Sequence, residues 1–154
     1  MRGYYFPLVA GVALIVSTFL PWVVVGDTTL RGIPNVPALW VAGLGVIAVA
    51  LAALSIITRK NSRHPLLVVG LAALGILVLS GRVLPRAMAE RAASLSEALA
   101  IVEGAPAADA PAALMGIGIY IGIAASTVIA LFGMTIVIKR AAQPYAVASA
   151  DDDV

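Results

Sequence analysis

The chain has 154 residues, 62% of them hydrophobic and only 12% charged, with a net charge of +2. A soluble domain carries about 25% charged residues, so this composition selects a membrane protein, with room for one small bundle of about four crossings at ~20 residues each. The lack of cysteine excludes disulfides, thiolate catalysis, iron–sulfur clusters and cysteine-based zinc sites, and so small a net charge leaves no footprint for nucleic acid.

Tyr4 and Tyr5, next to Arg2, suit the headgroup level of a bilayer. An uncharged run follows, and a first helix is expected over about 7–25. A cleaved signal peptide is the competing reading, but Leu20-Pro21-Trp22-Val23 offers no small-x-small cleavage site. Pro21 lacks an N–H and should end the regular helix, which leaves Trp22 at the outer interface. Trp22–Val25 and Thr28–Arg31 flank Gly26-Asp27, a β-branched run on each side of a two-residue turn. That pattern reads as a β-hairpin, with an irregular loop as the alternative.

Phe19-Leu20-Pro21-Trp22-Val23-Val24-Val25-Gly26, followed by Leu30-Arg31-Gly32-Ile33, resembles a recurring outer turn of small four-helix bacterial membrane proteins, most without an assigned function. The resemblance covers about the first third of the chain. The abundance of Ala, Gly, Val and Arg is similar to that of proteins from GC-rich bacterial genomes, and together these likenesses imply a bacterial inner membrane. The layout is also similar to that of claudin-like proteins in topology, with four helices, both termini inside and a β-containing first outer loop. The claudin Gly-Leu-Trp and paired-cysteine motif is missing, so that comparison stays at the level of topology.

Pro37 suits a first helical position, Trp40 lies near the outer interface, and the second helix is expected over about 37–58. It ends at Arg59-Lys60-Asn61-Ser62-Arg63-His64, three cations in six residues that resist translocation. Placing Arg59, Lys60 and Arg63 in the cytoplasm orients every other segment. Helix three is expected over about 65–84, opened by Pro65, with Arg82 snorkelling to the outer headgroups. Pro85 then begins a separate outer amphipathic helix, about 85–103. Met88, Ala92, Leu95, Leu99 and Val102 share one face of it; Arg86, Glu90 and Glu97 lie opposite, and Ile101 does not fit. Arg86 and Glu90 are spaced for an i,i+4 ion pair. Gly104 is the expected terminator, and 105–111 reads as a loop.

The last apolar run, 112–138, is 27 residues long. As a helix it would measure ~40 Å against a hydrocarbon core of ~30 Å, so it must tilt or project. Gly118, Gly122, Ser126 and Ala130 recur every fourth residue and form a smooth ridge for a close helix contact. Lys139 and Arg140 stop this helix on the cytoplasmic side, and 141–154 reads as a disordered cytoplasmic tail ending in three aspartates. The expected inside carries six cations (Arg2, Arg59, Lys60, Arg63, Lys139, Arg140), and the expected outside four (Arg31, Arg82, Arg86, Arg91).

The expected fold is thus an all-α membrane protein, a single four-helix transmembrane domain over 1–140. Apart from Arg82 at the outer end of helix three, none of the four spans holds Asp, Glu, Lys, Arg or His, which removes the usual means of proton relay and ion-coupled transport. His64 lacks a second nitrogen or sulfur ligand nearby, and Glu90, Glu97, Glu103 and Asp109 read as a solvated face. The span hydroxyls have no base and suit backbone bonding instead. No metal, cofactor or catalytic group is expected. The leading reading is a non-catalytic accessory or scaffold subunit that meets lipids and other membrane proteins or copies of itself. Its expected outer surface is Trp22 with Met88, Ala92, Leu95, Leu99 and Val102. A self-assembling pore or small transporter is the alternative, and an enzyme comes third.

Overall fold

The computed structural model describes residues 2–58, 62–104 and 112–141, with side chains over residues 3–58, 62–104 and 112–135. The described chain is mostly helical. A short 3-10 turn, Arg2–Tyr4, leads into α1 (Tyr5–Ser17); β1 (Pro21–Val25) and β2 (Thr28–Arg31) follow, then α2 (Val36–Thr58), α3 (Arg63–Glu103), β3 (Ala113–Met115) and α4 (Ile117–Ala141). Three helices, α2, α3 and α4, are long and apolar enough to cross a membrane; α1, with 13 residues, is a shorter apolar helix.

The helices close into a ring. α1 packs against α2 and α4, and α3 packs against the same two from the other side. Leu14, Ala48, Leu77, Ile119 and Ile129 fill the space between them. The outward faces are apolar as well: Phe6, Val9, Ile57, Val68 and Leu79 are all exposed. A continuous apolar exterior around a packed apolar core is what a lipid solvent tolerates and water does not.

The first helix differs from the expected 7–25 span. It stops at Ser17, where the hydroxyls of Ser17 and Thr18 donate to the Leu14 and Ile15 carbonyls (2.6 and 2.7 Å) and Thr18 and Phe19 make tight i→i−3 backbone bonds. Pro21 then has no N–H to continue with, and the β-branched run behind it enters a sheet. The hairpin forms around Gly26-Asp27 with Val25 opposite Thr28, and Gly26 takes a φ of 54°, which glycine adopts without strain.

The sheet has a third strand that the sequence reading missed. Its order is β2-β1-β3, with Val23, Val24 and Val25 of β1 opposite Met115, Leu114 and Ala113. Residues 112–116, expected as the first turn of the last helix, therefore precede it, and α4 begins at Ile117. A hairpin alone would leave the second edge of β1 unpaired, and β3 satisfies it.

The larger correction concerns α3. Helix three and the outer amphipathic helix are one unbroken helix of 41 residues, ~61 Å long, running through Pro85. Proline removes its own bond to the Gly81 carbonyl and crowds that carbonyl. The turn is held from outside, because Gly81 is buried against Met115 and α3 packs on both β3 and β1 there. Gly104, at φ 65°, closes the helix and donates to the Ala100 carbonyl. Pro65 stands third in α3 rather than first, still within the turn where a missing N–H costs nothing.

Candidate interaction surfaces

The ridge on α4 lies entirely inside the bundle, with Gly118, Gly122, Ser126 and Ala130 all buried. A Cβ on Gly122 would sit 2.9 Å from a Leu77 methyl and 3.1 Å from the Ser17 hydroxyl. On the facing helix, a Cβ on Gly70 would meet the Ala130 backbone nitrogen at 2.6 Å. The α3–α4 contact is thus set by backbone approach from both sides. Its contacts belong to this chain, so the ridge holds the bundle together. Buried Ser55 and Ser126 donate to the Leu51 and Ile123 carbonyls of their own helices (2.8 and 3.0 Å) and present no free hydroxyl to chemistry.

Trp22, expected at the outer interface, is fully buried. The strand register skips between Pro21 and Val23, and this bulge re-aims the side chain into the core. There the indole Nε1 donates to the Ser17 carbonyl (2.9 Å), capping the end of α1, while the Trp22 carbonyl accepts from Gly116 N–H (2.8 Å). Gly118 packs against the same ring. Trp22 therefore joins α1, the sheet and α4, and is not available as a contact surface.

The apolar stripe on α3 divides along its length. Met88 and Ala92 are half-buried, but Leu95, Leu99 and Val102 are 63%, 50% and 82% exposed. The hairpin does not reach them, so among the described residues nothing of the chain covers the distal stripe. Arg86 and Glu90 form no ion pair, and Arg86, Glu90 and Glu97 are exposed. Asp109 lies outside the described residues, and among those described no cluster of His, Asp or Glu could hold a metal.

At the far end of the bundle, Arg63 rests over the Phe132 ring (5.4 Å), which also meets Tyr4 edge-on (5.0 Å). The Tyr4 hydroxyl accepts from Ser62 N–H (3.3 Å). The start of α1, the start of α3 and the later part of α4 are thereby tied at one end, opposite the sheet. Tyr4 packs inside while Tyr5 stays exposed. Arg59, Lys60 and the tail beyond 141 lie outside the described residues. Lys139 and Arg140 fall in the α4 backbone beyond its described side chains.

A further feature carried no local signal in the sequence. At the sheet end, α3, β3 and the first turn of α4 enclose an open recess of about 640 Å³, lined by Arg82, Pro85, Arg86, Leu114, Met115 and Tyr120. Its walls come from segments some thirty residues apart, so only the unexpected strand and the unbroken α3 bring them together. Compared with known proteins, the chain matches no family model, no curated protein and no solved structure.

Proposed function

We propose that this chain is a non-catalytic accessory or scaffold subunit of a larger membrane complex. It would sit in a bacterial inner membrane as a four-span bundle with both termini in the cytoplasm, and α1 would complete its crossing through the sheet-end turn. One observation carries the subunit role: α3 continues ~31 Å beyond Arg82 and ends in an apolar face, Leu95, Leu99 and Val102, that the described chain leaves uncovered. An apolar stripe on a charged helix in water needs a partner. Beyond Arg86 its polar face carries Glu90 and Glu97 and no cation, whereas helices that lie on lipid favour cations there, so for this outer stretch a protein contact is the better match. The filled axis of the bundle supports a packing role over conduction through a single copy.

Purification in mild detergent tests the role. A heterologous membrane protein should co-elute with the wild type and be lost with Leu95→Asp/Leu99→Asp, whereas a homomeric ring would favour the pore reading. Single cysteines test the orientation, which rests on Arg59, Lys60, Arg63, Lys139 and Arg140. Ser94→Cys should label from the outside and Ser62→Cys should not; the reverse pattern would sink the proposed topology.

A further inference from the structure

The recess at the sheet end is built asymmetrically. Arg82 and Arg86 stand one turn apart on α3, so their side chains project from the same face and reach the same space. Tyr120, from the first turn of α4, lines the same recess together with the apolar Leu114 and Met115 of β3. Both arginines and Tyr120 are exposed, and among the described residues no acid lines the recess. The nearest acid along that face, Glu90, stands a turn further out and pairs with neither arginine. One turn toward the middle of the bundle the exposed residues on both helices are apolar: Val78 lies four residues before Arg82 on α3, and Ala124 four residues after Tyr120 on α4.

We propose that this recess binds the phosphate of an anionic glycerophospholipid, with the acyl chains lying against the apolar outer surface of the bundle. Two guanidinium groups on one face match a phosphodiester, each able to donate two parallel N–H bonds. The tyrosine hydroxyl adds a neutral donor. A zwitterionic lipid would bring an ammonium group into the same cationic wall, so charge favours a headgroup without one. The aromatic and the arginines stand at one end of an apolar bundle, the level at which headgroups lie. The inference rests on the membrane placement proposed above and is independent of the subunit role.

The test uses the full-length protein reconstituted in vesicles of equal phosphatidylglycerol and phosphatidylcholine. Flotation reports insertion, and native mass spectrometry after extraction in neutral detergent reports which lipid stays bound. Phosphatidylglycerol should be retained in preference to phosphatidylcholine. Arg82→Gln/Arg86→Gln should lower that preference roughly tenfold, and Tyr120→Phe, which keeps the ring, about two- to threefold. Arg31→Gln, on β2 at the same end, should leave it unchanged. A double glutamine variant that floats and melts like the wild type yet keeps the full preference overturns the proposal, as does an equal loss with Arg31→Gln. Equal retention of both lipids, with displacement by millimolar inorganic phosphate, would assign the recess to free phosphate and overturn the lipid. Failure of the wild type to float would bring down the membrane placement as well.

Discussion

The two halves of α3 share one backbone and meet different surroundings. From Leu66 to Gly81 the helix buries seven residues, including Leu66, Ala73 and Leu77, against α2 and α4. From Arg82 to Glu103, among the described residues, it buries none completely. The inner half is fixed by its neighbours, while the outer half is helical through its own hydrogen bonds, its alanine-rich composition and the contacts at its root. Within one element, substitution should therefore act on the fold at one end and on association at the other.

The largest effect is expected at Gly122, which faces the inner half. Gly122→Leu drives a side chain into both Leu77 methyls and the Ser17 hydroxyl and should cost about 3 kcal/mol, read as a lowered unfolding midpoint in detergent. Leu77→Ala should cost about 2 kcal/mol, the lower end for such a truncation. In lipid the loss is mainly of packing, since the unpacked helix also sits among apolar chains. The two changes should not add: Leu77→Ala in the Gly122→Leu background should recover part of the loss, and strict additivity would show that the two sites do not share the contact described here. On the outer half, Leu95→Asp/Leu99→Asp should shift the midpoint of the isolated chain by under ~0.5 kcal/mol. A loss of several kcal/mol there would erase the distinction between the halves.

Much of this arrangement was written locally. The apolar run that ends at the basic loop gives α2 nearly to the residue. The Val23-Val24-Val25 run, the Gly26-Asp27 pair and the threonines give the hairpin. The four-residue repeat of small side chains located the tight face of α4. What stayed hidden depends on partners far away in the chain. Ala113-Leu114-Met115 has no strand pattern of its own and is extended because β1 offers a free edge. Pro85 reads as a break by local rules, and packing of Gly81 against Met115 overrides them. A tryptophan that follows a proline at the end of a span is as natural in the headgroups as in the core, and the strand bulge decides for Trp22. The recess of Arg82, Arg86 and Tyr120 was illegible for the same reason, since it exists only once those partners have met.

The burial of Trp22 has an optical consequence. The chain has two tryptophans, Trp22 with no exposed surface and Trp40 with 66% of its surface on the outside of α2. One indole is held in the dry core with its N–H bonded to a carbonyl, and the other faces the surrounding medium. Intrinsic fluorescence thus has two components. In the membrane placement proposed above, a quencher carried on lipid acyl chains should reach Trp40 and not Trp22, and any rearrangement around the α1 terminus should speak through Trp22.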